Sequence, residues 1–80
     1  MKTAEEMFEE LGYKKSKFVS KDFIEYQHSY IYDTSIFIRF DLDELYITKY
    51  DDTDNGIKYL GFTLNELKAI TKQMEELGWL

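Results

Sequence analysis

Ser35-Ile-Phe-Ile-Arg-Phe-Asp-Leu42, running on into Asp43-Glu-Leu-Tyr-Ile-Thr-Lys-Tyr50, is the stretch that decides the fold. Ile36, Ile38, Phe40 and Leu42 recur at every second residue, with Phe37 and Arg39 between them, which is the period of a strand with one buried face. Asp41-Leu-Asp-Glu44 then makes a tight connection, because Asp side chains bond nearby backbone groups and favour turns. A second strand follows from Leu45 to Tyr50. Strands joined by so short a segment pair antiparallel.

Working outward, residues Asp22 to Tyr32 alternate in the same way. Ile24, Tyr26, His28, Tyr30 and Tyr32 fall on one side, and Glu25, Gln27 and Ser29 on the other. This predicts a further strand, with a break near His28 as the alternative, and Asp33-Thr-Ser35 as its turn. Downstream, Asp51-Asp-Thr-Asp-Asn-Gly56 ends in an Asn-Gly pair, both of whose residues tolerate positive φ. A fourth, shorter strand over Ile57–Gly61 is the weaker expectation, since Lys58 and Gly61 interrupt its apolar pattern.

Both ends of the chain read as helices with matched punctuation. Thr3-Ala-Glu-Glu6 and Thr63-Leu-Asn-Glu66 are capping boxes, in which each Thr hydroxyl accepts from the backbone N–H three residues on and each Glu reaches back to the Thr N–H. Gly12 and Gly78 then supply the left-handed conformation that stops a helix, so that Tyr13 and Trp79 fold back onto Phe8 and Met74. The first helix is predicted from Ala4 to Leu11, with Ala4, Met7, Phe8 and Leu11 inward. The second is predicted from Leu64 to Leu77, with Leu64, Leu67, Ile70, Met74 and Leu77 as its buried stripe and Phe62 stapled against Leu67. Two turns of helix are not stable alone and must dock. The expected fold is α+β: helix, antiparallel meander of three or four strands, helix, with both helices on one sheet face, in a single domain over residues 1–80.

Composition bounds the function classes. Aromatic residues make up 18% of the 80 positions and no cysteine is present, so packing rather than disulfides or thiolate metal sites must stabilise the domain. No stretch approaches the length of a membrane span and the N-terminal residues lack the apolar core of a secretory signal, so a soluble, cytoplasmic protein without a membrane partner is expected. The formal net charge of -6 argues against direct nucleic-acid binding. The excess is local. Residues 41–54 carry six carboxylates, Asp41, Asp43, Glu44, Asp51, Asp52 and Asp54, against Lys49 alone. Lys14, Lys15, Lys17 and Lys21 instead form a basic stretch after the first helix, suited to balancing that helix's glutamates.

The two acidic turns lie at opposite ends of one expected strand, about 20 Å apart. Carboxylates so arrayed imitate the spaced charges of a nucleic-acid backbone; the plainer reading is a pair of solvated turns. Asp51, Asn55 and Gly56 match fragments of a calcium loop, but Thr53 and Phe62 stand where ligands are required, so no metal site is expected. His28 is the one histidine, without a nearby Cys, His or Ser motif, and a half-buried sheet position suits it better than a catalytic one. No cofactor motif is present, and the expectation is a non-enzymatic protein. The tyrosines, including Tyr46, with Phe37 and Arg39, enrich whichever sheet face stays open in residues typical of interaction hot spots.

The segments Thr3-Ala-Glu-Glu-Met-Phe-Glu-Glu-Leu-Gly-Tyr13 and Thr63-Leu-Asn-Glu-Leu-Lys-Ala-Ile70, continuing to Glu76-Leu-Gly-Trp79, resemble small proteins encoded by phages and prophages of low-GC Gram-positive bacteria. The resemblance implies no assigned activity and no catalytic residue. It implies a context in which small acidic proteins inhibit host defence or host nucleic-acid enzymes. The expected function is therefore a protein-binding module, an inhibitor or adaptor for a host or phage protein with a basic nucleic-acid groove. Its expected contact residues are Asp41, Asp43, Glu44, Asp51, Asp52, Asp54, Phe37, Arg39 and Tyr46. The alternative is a self-associating structural module, a homodimer formed through an aromatic sheet face or an edge strand.

Overall fold

The computed structural model describes residues 1–17, 20–29, 35–53 and 56–80. Helix α1 (Ala4–Glu10) is followed by strands β1 (Lys14–Lys15), β2 (Phe23–Ser29), β3 (Ser35–Asp41), β4 (Tyr46–Thr53) and β5 (Gly56–Tyr59), and then by helix α2 (Leu64–Glu76). The strands form one antiparallel meander in the order β1-β2-β3-β4-β5. The sheet thus has five strands, not three or four. The weak fourth strand is present as β5, and Lys14–Lys15, read from sequence as a basic loop, adds an edge strand against Tyr26 and Gln27. Two residues are too few to show alternation, so β1 left no periodic signal. Strand β2 runs unbroken through His28. Tyr30, Tyr32 and the turn at 33–34 lie outside the described residues.

Both helices begin and end as their punctuation dictates. Thr3 and Thr63 each form the reciprocal capping box with Glu6 and Glu66. Gly12 and Gly78 have φ of +93° and +77°. The N–H groups of Tyr13 and Trp79 close back on the carbonyls of Phe8 and Met74, each at 2.9 Å, which satisfies a carbonyl left over at each helix end.

Phe8 from α1, Ala69 and Ile70 from α2, and Tyr26, Ile38 and Phe40 from the sheet make one core with Tyr13. Tyr26 and Ile38 are register partners and so share a sheet face, which places both helices on that face. The Phe8 ring stacks on Tyr26 at 4.0 Å and meets Tyr13 and Phe40 edge-on.

Helix α2 keeps Ile70 and Met74 of its predicted stripe against the core but turns its first two leucines outward. Leu64 and Leu67 are 70% and 45% exposed, while Glu66, Ala69, Ile70 and Gln73 are buried; Phe62 packs against the core. The inward polar groups explain the rotation. Glu66 accepts from Tyr13 Oη at 2.7 Å and Lys49 Nζ at 2.8 Å, and Gln73 accepts from Tyr26 Oη at 2.5 Å. Turning the leucines inward would strand those donors in an apolar layer, at a cost of about 1–3 kcal/mol for each. Burial pushes the Tyr26 hydroxyl well above its ordinary range, and the nearby Glu5, Glu76 and Glu9 charges add to it, so it stays a donor to Gln73. Helix α1 is tied to α2 directly, since Ala4 N donates to Glu76 Oε2 at 2.7 Å.

The two stop glycines differ in what surrounds them. A Cβ at Gly12 would lie 2.5 Å from His28 Nε2, whereas one at Gly78 would meet nothing within 4 Å. Gly78→Ala is expected to cost only the left-handed backbone term, about 1–2 kcal/mol. Gly12→Ala should cost clearly more, because the imidazole must also move. Chemical denaturation of the two variants side by side checks the order.

Candidate functional site

Two helices packed side by side at about 10 Å span roughly 20 Å, the width of four strands at about 4.8 Å. The helical layer covers one face of the sheet and ends short of the fifth strand. All four residues of β5 are exposed. The opposite face carries no covering element among the described residues.

Register fixes what that open face displays. Glu25 pairs with Arg39, Phe37 with Tyr50, Asp41 with Tyr46, Tyr50 with Tyr59, and Asp52 with Ile57. Directly paired residues point to the same side, so these side chains form one continuous surface. At its centre Glu25 Oε2 accepts from Arg39 Nε at 2.8 Å and from Tyr50 Oη at 2.6 Å. The Arg39 guanidinium lies 4.0 Å above the Phe23 ring, and Tyr50 stacks on Phe37 at 5.1 Å. The Arg39 guanidinium also lies 5.7 Å from the Tyr50 ring, so the five side chains form one connected network. Partial burial disfavours the Arg39 charge, but the hydrogen bond and charge of Glu25 outweigh it and raise the guanidinium's proton affinity. Burial, with the hydrogen bond to Glu25, likewise holds the Tyr50 hydroxyl protonated far above neutrality.

Beside this network is a concavity of about 430 Å³ lined by Tyr46, Thr48, Tyr50, Asp52, Ile57 and Tyr59, with Arg39 at its inner end. Tyr46, Ile57 and Tyr59 are 50%, 59% and 71% exposed. A concavity of about 470 Å³ lies between α1 and β1, where its charged walls compensate one another through Lys15 and Glu5 at 4.0 Å. That ion pair is also the balancing role expected of the basic stretch. The open face, by contrast, keeps the Asp52 carboxylate without an ion pair among the described residues.

The expected contact residues divide accordingly. Phe37, Arg39 and Tyr46 share the open face, as does Asp52. Asp43 and Glu44 are exposed in the β3–β4 turn. Asp41 also lies on this face, but its Oδ1 accepts from the N–H groups of Asp43 and Glu44 at 3.0 and 2.7 Å, so it shapes the turn. Leu45, which closes the turn, is exposed and held at a φ of +59°, a strained position for a leucine. Asp51 departs from the expectation. It faces the helical side, and its Oδ1 is buried without a hydrogen-bond partner among the described residues. Adjacent strand residues point to opposite faces, so Asp51 and Asp52 cannot serve one surface. Asp54 lies outside the described residues.

Sequence reading had Tyr50 and Tyr59 only among tyrosines of either face, and it grouped neither Ile57 with this surface nor Glu25 with Arg39. Only the register brings them together. Lys49, the one base among the acidic residues, turns inward to Glu66. His28 is half-buried on the helical side, edge-on to Tyr13 at 5.2 Å. No helix of the described residues is long and apolar enough to cross a membrane. Among the described residues no group of three or more His, Asp and Glu side chains is placed to hold a metal ion. In comparison with known proteins, no family model, no curated protein and no solved structure matches the chain.

Proposed function

We propose that the chain is a non-enzymatic protein-binding module that docks a partner with a basic surface onto the open face of its sheet. The observation that carries this is the single-sided helical layer. It leaves Phe37, Tyr46, Tyr50, Ile57 and Tyr59 around a rigid Glu25–Arg39 pair, with Asp52, Asp43 and Glu44 at the margin and no ion pair to any of those three among the described residues. Aromatic anchors inside a charged rim are the anatomy of a specific interface. The rim's sign selects a cationic partner, and the net charge of -6 steers its approach. The likeness to small phage proteins supports a host nucleic-acid-binding effector as that partner, held at its basic groove.

The test is capture from host lysate by the tagged chain, followed by salt washes and by two variant sets. Tyr46→Ala with Tyr59→Ala removes the anchors, and Asp43→Lys, Glu44→Lys and Asp52→Lys together reverse the rim. Each anchor is expected to contribute about 2 kcal/mol, roughly thirty-fold in Kd. Rim reversal should slow association and abolish its salt dependence. All five positions are exposed, so the fold should survive. A captured protein indifferent to both sets would sink the reading. Recovery of only a second copy, resistant to salt, would replace it with self-association, for which the exposed β5 edge is the available strand.

A further inference from the structure

The two edges of the sheet are unlike. Strand β1 is two residues long and both are lysines, the residue type that blunts an edge against further pairing. Strand β5 has four residues, all exposed, and its one charged side chain, Lys58, stands between Ile57 and Tyr59. One hydrogen bond fixes which of its backbone groups face outward. The Leu60 N–H donates to the Lys49 carbonyl at 2.9 Å, one position beyond the Tyr50–Tyr59 pair. Bonded and non-bonded pairs alternate along an antiparallel ladder. Lys58 therefore bonds inward to Asp51, while the N–H and C=O groups of Ile57 and Tyr59 point away from β4, out of the sheet. The same two residues carry exposed apolar side chains on the open face.

We propose that this edge pairs antiparallel with β5 of a second copy, about a two-fold axis at Lys58, and joins two sheets into one. Ile57 of each copy then lies opposite Tyr59 of the other, and each outward N–H meets an outward carbonyl. Moving the axis to Ile57 or to Tyr59 would pair one of them with a residue beyond β5, so the register is set. A second copy is favoured over a foreign strand because the edge is its own complement, and an aliphatic residue opposite an aromatic one is a favourable cross-strand pair. The two Lys58 side chains meet on the other face, where each has Asp51 of its own copy as its register partner. Asp51 makes no ion pair among the described residues. In an evenly spaced row of Asp51, Lys58, Lys58 and Asp51, attraction across the junction cancels most of the repulsion between the lysines and leaves roughly a third of it. The pairing goes beyond the docking reading and does not need it; where both hold, two open faces become one continuous surface.

Sedimentation equilibrium of the full chain from about 10 µM to about 1 mM tests the pairing. The mass should rise towards that of a dimer with concentration and should not fall in high salt, since both copies carry the same net charge. Over the same range, amide exchange followed by NMR should slow several-fold at Ile57 and Tyr59 and stay unchanged at Lys58, whose N–H is bonded within the ladder. Ile57→Pro removes an N–H that serves no bond to β4, so the variant should fold and remain monomeric. Ile57→Ala, which keeps that N–H, should still dimerise at higher concentration. A chain monomeric throughout, a dimer that Ile57→Pro leaves intact, loss of the dimer in both variants alike, or slowed exchange centred away from β5 would overturn the assignment. The experiment contains no other protein, so its failure and a failed capture from lysate are read separately.

Discussion

Glu66→Ala is expected to remove a large share of the protein's stability at 25 °C. The Glu66 carboxylate, 6% exposed, accepts from Lys49 Nζ at 2.8 Å, from Tyr13 Oη at 2.7 Å and from the Thr63 N–H at 2.8 Å. Truncation therefore removes half of the α2 capping box and leaves a nearly buried ammonium and a buried hydroxyl unmatched. Breaking a buried ion pair from one side costs about 3–5 kcal/mol. A domain of this length has about 4–12 kcal/mol of stability in all. Urea denaturation of the purified variant measures the loss. Lys49→Met combined with Glu66→Gln should recover much of it, because an uncompensated charge rather than a missing attraction is the main cost; a double variant as unstable as Glu66→Ala would contradict that account.

The same carboxylate sets an acid limit. Burial raises its proton affinity, but the hydrogen bonds from Lys49, the Thr63 backbone and Tyr13, with the Lys49 charge, win and hold Glu66 below the usual carboxylate range. A carboxyl that ionises more readily folded than unfolded contributes stability that is complete above the unfolded value and is lost as pH falls through the folded one. Stability should therefore drop on the acid side of the usual carboxylate range. Glu66→Gln should flatten that part of the profile.

Phe8→Ala is expected to cost about 3–5 kcal/mol, the range for deleting a fully buried ring. Phe8 is the contact through which α1 reaches the sheet, stacked on Tyr26 and edge-on to Phe40 and Tyr13. A helix of seven residues has no independent stability. Amide exchange should therefore show protection lost over Ala4–Glu10 before it is lost in β2 and β3. Tyr26→Phe provides the contrast, since it keeps the stack and removes only the hydroxyl that Gln73 accepts. Its cost should be about 1–3 kcal/mol, with α1 still protected. If both variants lost α1 equally, the ring stack would not be what docks the helix.

Local chemistry was readable from sequence wherever a few adjacent residues decide the outcome. The Thr and Glu of each cap, the glycines at 12 and 78, and the alternation through Ile36, Ile38 and Phe40 all specify structure without reference to distant residues. Prediction failed where a side chain's direction depends on partners far along the chain. The leucines of α2 suggest one buried stripe, yet Glu66 and Gln73 turn inward because Lys49, Tyr13 and Tyr26 wait there. The same limit hid the site. Phe37 and Arg39 were identifiable as face residues from their alternation, and Tyr46 as one of the tyrosines suited to an open face. Their grouping with Tyr50, Ile57 and Tyr59 required the β4–β5 register. Asp51 was expected among the contact residues because it sits in an acidic run, but strand geometry turns it away from Asp52.

The bond from the Ala4 N–H to Glu76 joins residues near the two ends of the chain, and it carries a consequence for folding on the ribosome. The meander consists of neighbouring hairpins, which close small loops and form early. Helix α1 leaves the ribosome before the sheet it packs on, but α2, the helix that holds it, is made only after β5. Until α2 is released, Phe8 has only a half-covered sheet to rest on, so a segment translated ahead of the whole sheet is fixed only after it.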